Sequence, residues 1–143
     1  MRIEIQPMNI ATYEQVLDLW QSAPGVGLSS ADSKDNINLF LNRNHDLSFV
    51  AWEGEQLVGA TLCGHDGRRG YIHHLAVRQS HRRRGIGQTL VRKCLAGLEA
   101  VGIDKCHLFV FVENREAILF WEDTGWIGRT ELTVMSHYTA ANL

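Results

Sequence analysis

Apolar and polar positions alternate with two different periods along this chain, and the changes of period mark out its elements. Ile3 and Ile5 alternate with polar residues before Pro7, which predicts a short first strand. Between Thr12 and Trp20, Val16, Leu17 and Trp20 recur at helical spacing, and Pro24, Gly25 and Gly27 end that helix. Asp32 or Ser33 can cap a second helix, with Ile37, Phe40 and Leu41 on one face. The segment from Pro24 to Ser30 between the two helices reads as a surface loop suited to substrate selection.

Two strand-like runs, Leu47–Trp52 and Gln56–Cys63, flank the Glu53-Gly54-Glu55 turn and read as a hairpin. A second turn, His65 to Gly70, leads into the run Tyr71–Val77. Ile86, Leu90, Val91, Cys94, Leu95, Leu98 and Val101 then trace an amphipathic helix closed by Gly102. Cys106–Val112 is apolar on both faces, as a central buried strand requires. Asn114 can cap a further helix carrying Ala117, Ile118 and Trp121, and Leu132–Tyr138 alternates like a last strand. The order strand, two helices, three strands, helix, strand, helix, strand predicts an α/β (α+β) fold, a mixed sheet with helices on both faces.

Composition narrows the class. A chain of 143 residues, 45% hydrophobic and 21% charged, fits one globular domain over residues 1–143. No apolar run approaches a membrane span and the start lacks a signal peptide's apolar core, so the expectation is a soluble, cytoplasmic protein with no membrane partner. Cys63, Cys94 and Cys106 each sit in an apolar pattern and read as buried, reduced thiols. The net charge of −2 gives no overall bias toward nucleic acid. Positive charge is nevertheless concentrated between Arg68 and Lys93, with Arg82, Arg83 and Arg84 consecutive.

That triplet sits where a strand ends and a glycine-containing turn opens a helix. The first amides of a helix lack internal partners and its dipole is positive there, and Gly85 and Gly87 let the backbone approach an anion, so this helix start reads as an anion site to which the arginines add formal charge. A P-loop pattern is absent, and a dinucleotide fingerprint would need a small residue where Leu90 stands.

Arg82, Gly85 and Gly87 spell R-x-x-G-x-G directly after a strand ending Leu75-Ala76-Val77, and Asn114, Ala117, Phe120, Trp121, Gly125 and Trp126 spell a second block. Both resemble the signatures of the GCN5-related N-acetyltransferases (GNAT), and with the matching element order the resemblance covers nearly the whole chain. It implies a mixed, mostly antiparallel sheet with a splayed strand pair that receives acetyl-CoA as acetyl donor. It implies that the backbone of Leu75, Ala76 and Val77 pairs with the pantetheine arm. It implies further that the amides from Arg83 to Gln88 cradle the pyrophosphate, that Asn114 bonds near the cysteamine end, and that Ala117 and Trp121 belong to the cofactor site. By the same resemblance, Arg115 or one of Arg82–Arg84 would meet the 3′-phosphate. Asn114 as a plain helix cap, and Arg82–Arg84 as a solvated turn, stay open beside these roles.

Acetyl transfer to an amine needs a base. Strand alternation puts Tyr71, His73, Leu75 and Val77 on one side, with Ile72 and His74 on the other. His73 matches a position where arylalkylamine acetyltransferases of the family carry a histidine, and it is the first candidate. His74 is the second, because a bulge would exchange the faces, and Glu113 is the third. The family's usual acid is a tyrosine where this chain has Trp121, so water, Tyr71 or the substrate's own proton would serve the thiolate. Gln79 stands where relatives commonly have proline. Adjacent His73 and His74 are the only histidines close in sequence, which argues against a metal site. The implied acceptor is a primary amine on a small molecule, an amino acid or a protein N-terminus. A homodimer could form through the last strand. A CoA-binding module without turnover and, further off, a nucleic-acid binder are the competing classes.

Overall fold

The computed structural model describes residues 2–140, which form two compact units meeting at residues 111–112. The first unit is built on a five-stranded sheet in the order β1-β2-β3-β4-β5, with β1 Ile3–Pro7, β2 Phe49–Glu53, β3 Gln56–His65, β4 Gly70–Val77 and β5 Cys106–Leu108. All neighbours are antiparallel except β4 and β5, which run parallel. Proline at the end of β1 is tolerated because β1 is an edge strand and its missing N–H breaks no inner ladder.

Helices α1 (Tyr13–Ser22) and α2 (Lys34–Arg43) cover one face of the sheet, and α3 (Ile86–Ala100) covers the other. On α1 the buried stripe is Val16, Leu19 and Trp20, the i, i+3, i+4 spacing of one helix face. Leu17 is only half-buried, so Leu19 takes the place in the stripe that sequence spacing assigned to Leu17. These side chains and Ile37 of α2 pack on Leu57, Ala60, Leu62 and Ala76, and each large one buried stabilises by about 1.5–3 kcal/mol. Ser33, not Asp32, caps α2: its hydroxyl accepts from the Asn36 N–H at 3.2 Å. On the opposite face Ile86 and Leu90 of α3 pack on Ala51 and Val58. A Cβ at Gly59 would lie 3.1 Å from Leu90 Cδ1 and 3.2 Å from Ile86 Cγ2. The bare glycine therefore lets the first turn of α3 sit close against β3.

The second unit contains α4 (Arg115–Asp123). Asn114 Oδ1 accepts from the Ala117 N–H at 3.1 Å and caps the helix. Gly125, at φ +99, ends it, with the Trp126 N–H reaching back to the Trp121 carbonyl at 2.9 Å. This is a six-to-one helix stop, and Trp121 and Trp126 make the hydrophobic contact that accompanies it, with ring centroids 5.1 Å apart.

Two sequence expectations need correction. Cys106–Val112 is not a central buried strand: β5 is a three-residue, half-buried edge strand, and Phe109, Phe111 and Val112 beyond it are exposed. Apolar residues on both faces satisfied the pattern, but among the described residues the strand pairs with β4 alone. Leu132–Tyr138 is not a strand either. Its alternation is real, yet no described residue offers it a ladder, and Leu132, Val134, Met135 and Tyr138 are exposed. Among the described residues no helix is long and apolar enough to cross a membrane.

Candidate active site

Strand β4 holds the candidate site because its alternation breaks in the middle. Its register with β3 steps from Ala60↔Ala76 to Leu62↔His73, so two residues of β4 stand opposite Thr61 alone. This is a β-bulge, and His74 takes the strain of it at φ +56, a left-handed conformation uncommon outside glycine. The buried Thr61 hydroxyl donates to the His73 carbonyl at 3.1 Å and pins the distortion. Simple alternation therefore fails here. His73 and His74 both line a cavity on the α1/α2 face, while Leu75 and Val77 turn to the α3 face beside Val58 and Leu90.

The cavity measures about 300 Å³ and lies between β4, α2 and the loop after α1. Asp32, at 7% exposure, is the buried carboxylate in its wall. One oxygen accepts from the Ser29 N–H at 3.0 Å and the other lies 2.9 Å from His74 Nε2. An ionised carboxylate only accepts, so Nε2 carries the hydrogen, and in the neutral imidazole the lone pair is then on Nδ1. The His74 ring stands edge-on to Trp20, with centroids 5.0 Å apart. Tyr13 donates its hydroxyl to the Asp32 carbonyl at 2.6 Å, and burial followed by the Asp32 charge pushes that phenol's pKa up. His73 instead touches rings: Phe40 at 6.2 Å and, in parallel, Tyr71 at 6.4 Å. Burial, with a smaller contribution from His74, holds the His73 imidazole below its ordinary pKa, against an opposing pull from Asp32. Asp32 and Trp20 were not legible as site residues, since one reads as a helix cap and the other as core.

Past the bulge, β4 changes task. Its pairing with β5 stops at Ile72↔Leu108, so the outer edge of Leu75, Ala76 and Val77 has no strand beside it among the described residues. After a short turn at Gln79–His81, Arg83 (φ +64) and Gly85 (φ +77) both adopt left-handed backbone, and α3 begins with no side chain capping its first amides. Arg82 donates to the Val77 carbonyl at 3.3 Å and Arg84 pairs with Glu53 at 3.3 Å. Among the described residues Arg83 has no hydrogen-bond or ion-pair partner. Glu53 also accepts from buried His81 at 3.0 Å, whose other ring nitrogen accepts from Ser80 at 2.7 Å. This chain of bonds ties the β2–β3 turn to the loop before α3.

A profile of the Acetyltransferase (GNAT) family matches residues 13–126. The chain belongs to this family. It is 32% identical over 120 residues to an acetyltransferase of Pectobacterium atrosepticum, covering 84% of each protein. It is 36% identical over 93 residues to human N-alpha-acetyltransferase 30, which covers 62% of this chain and 26% of that one. Among solved structures, a NatC complex bound to Gag peptide and CoA aligns with a TM-score of 0.74 at 25% identity, covering 89% of this chain and 86% of the other.

The chain is thus a GNAT enzyme of the N-acetyltransferase type, and its mixed sheet is the GNAT fold. The candidate residues fall into three groups. Tyr71, His73 and His74 share the face of the cavity. Leu75–Val77 and Arg82–Gln88 share the open β4 edge and the start of α3. Asn114, Ala117 and Trp121 lie in the second unit with Glu113, and there Asn114 and Trp121 have the helix-capping and helix-stop contacts already described. The thiols of this GNAT enzyme are poor nucleophiles. Cys63 and Cys94 are buried; the Cys94 thiol is pushed far up by its bond with Cys63 and by burial, and Cys106 is pushed up to about 12 by burial.

Proposed function

We propose that this GNAT enzyme moves an acetyl group from acetyl-CoA to a primary amine by direct attack. The observation that carries the reading is the division of labour along β4. One strand bears an open backbone edge leading to an uncapped, arginine-flanked helix start, and on the other side of its bulge an imidazole braced by a carboxylate. Leu75–Val77 offer unpaired backbone groups that an extended amide arm can complete as an added strand. The amides from Arg83 to Gln88, with Arg82, Arg83 and Arg84, suit a pyrophosphate. The match to a relative solved with CoA supports the same donor.

His74 is the proposed base. Its Nδ1 takes the proton from the incoming ammonium, leaving a neutral nitrogen to attack. His73, whose pKa burial lowers, stays neutral and lines the cavity. When bound, acetyl-CoA supplies a thioester: the C–N bond forms as the C–S bond breaks, and the amine's second proton goes to the departing sulfur. No dedicated acid is then needed, which accommodates Trp121 at the position where relatives carry tyrosine. The protonated thiols give no route through an acetyl-cysteine intermediate.

Thermal melting beside acetyl-CoA, ATP and NAD tests the donor. At a hundredfold excess over Kd, acetyl-CoA alone should add about 2.7 kcal/mol, or ~5–10 °C. No shift, or a larger one with NAD, would sink the assignment. A CoA-binding module without turnover, which Trp121 favours, predicts the same shift with no CoA released from any amine.

A further inference from the structure

The cavity beneath α2 carries more than a base. We propose that it is the acceptor site, that it takes a primary amine borne on a single uncharged, apolar or aromatic group, and that Asp32 is the positioning residue for His74. The proposal rests on the acetyl-transfer reading above and narrows it to one class of acceptor.

Charge in the wall sets the class. The carboxylate lining the cavity is Asp32, and both of its oxygens are occupied, one by the Ser29 N–H and one by His74. An added ammonium would have to share that one buried carboxylate with His74 and the Ser29 amide. The rest of the wall includes Ile37, Phe40 and Leu62, which reward apolar carbon and penalise unpaired charge. A polycation would have to bury extra ammonium groups against them without partners. A volume of about 300 Å³ stands at the small end of the ligand-site range, roughly 300–1,000 Å³, so it holds one amine and the side group next to it. From its wall a row of rings leads outward: Phe40 meets His73, His73 stacks on Tyr71, and Tyr71 stacks on exposed Phe109 at 6.3 Å. Such a row suits an apolar or aromatic substituent.

The geometry of the pair sets the role of Asp32. His74 is held at an unfavourable backbone angle, and its ring would be free to turn without the 2.9 Å bond that selects the Nε2–H tautomer. Asp32 never reaches the reacting nitrogen in this arrangement; it keeps the Nδ1 lone pair available.

The test uses the full chain with acetyl-CoA and reads CoA release from four acceptors. They are 2-phenylethylamine, a tripeptide beginning with leucine, spermidine and kanamycin. We expect at least ~100-fold higher kcat/KM for one of the first two than for either polycation, and which of the two wins separates a free amine from a peptide N-terminus. A polycation as the best acceptor would overturn the class while leaving acetyl transfer standing. No CoA release from any of the four, with the acetyl-CoA melting shift intact, would overturn the transfer reading itself. For Asp32, the variants are Asp32→Asn, His74→Asn (asparagine tolerates the left-handed backbone) and the pair. Asp32→Asn should lower kcat/KM for the amine at least ~10-fold with the acetyl-CoA shift unchanged. In the His74→Asn background it should cost less than about threefold more, because the two act as a unit. Equal losses in both backgrounds would mean that Asp32 only supports the fold.

Discussion

Replacing Gly85 by alanine isolates one backbone angle from every other feature of the loop before α3. Gly85 sits at φ +77, ψ 8, immediately before the first helical residue. A Cβ built there meets nothing within 4 Å, so crowding contributes nothing and only the left-handed conformation is charged against the variant. That conformation costs a residue with a Cβ roughly 1–2 kcal/mol, partly offset by about 0.4–1 kcal/mol from the stiffer unfolded chain. The net expectation is a loss of about 1 kcal/mol. Unfolding entropy near 2.1 cal/mol/K per residue gives about 0.3 kcal/mol/K for this chain, hence a fall of ~3 °C in Tm. Gly85→Asn should lose less than half of that, because asparagine visits the left-handed region readily. Thermal melts followed by circular dichroism, without ligand, would measure both. Gly85→Ala melting within ~1 °C of the parent, against the ~3 °C expected, would refute the strain argument. Equal losses for alanine and asparagine would show that something other than φ is at work.

Two further perturbations probe the parts of the fold that support the site. The His73 pKa is depressed in the folded state by burial, so the unfolded chain binds the proton first as pH falls through about 6.5 and below. Stability from this residue is therefore present above that pH and lost on acidification, and His73→Gln should flatten the fall in Tm between about pH 7 and 5; an unchanged slope would contradict it. At Gly70 an added Cβ would lie 2.5 Å from Cδ1 of buried Leu98. Gly70→Ala should cost about 1–3 kcal/mol by overpacking, and urea unfolding should find Gly70→Ala/Leu98→Ala less damaged than the sum of the single variants by ~1 kcal/mol or more. Strict additivity would rule out the clash.

Local pattern was enough to read the helices and the strands that bury a face. Ile86, Leu90, Cys94 and Leu98 keep helical spacing through α3, and the structure ends that helix at Ala100, one residue before the apolar Val101. Pattern failed wherever the answer depended on a partner far along the chain. Whether Cys106–Val112 or Leu132–Tyr138 becomes a strand depends on what pairs with it, and apolar residues alone do not supply a ladder. The bulge at His74 arises from a register mismatch with β3, which nothing within Tyr71–Val77 signals beyond the two adjacent histidines. Asp32 becomes a site residue through a contact spanning 42 positions. Sequence spacing offers it only as a helix cap, a role that Ser33 takes instead while Asp32 closes a short turn with Ser29.

The extra residue in β4 splits the strand into two frames, and that has a practical meaning for anyone redesigning the enzyme. His73 and His74 face the cavity, whereas Leu75 and Val77 face α3, so under the proposed function the first pair serves the acceptor and the stretch from Leu75 onward the donor. Tyr71 and His73 can thus be varied in a library with less effect on the stretch from Leu75 to Gln88 than buried Ile37, which packs in one cluster with Ala76. Length at this joint controls a single side chain. Deleting His74 would close the bulge and return β4 to plain alternation, with His73 still opposite Leu62 and with Leu75 and Val77 still toward α3, so the cavity would lose its second imidazole while the α3 side kept its contacts.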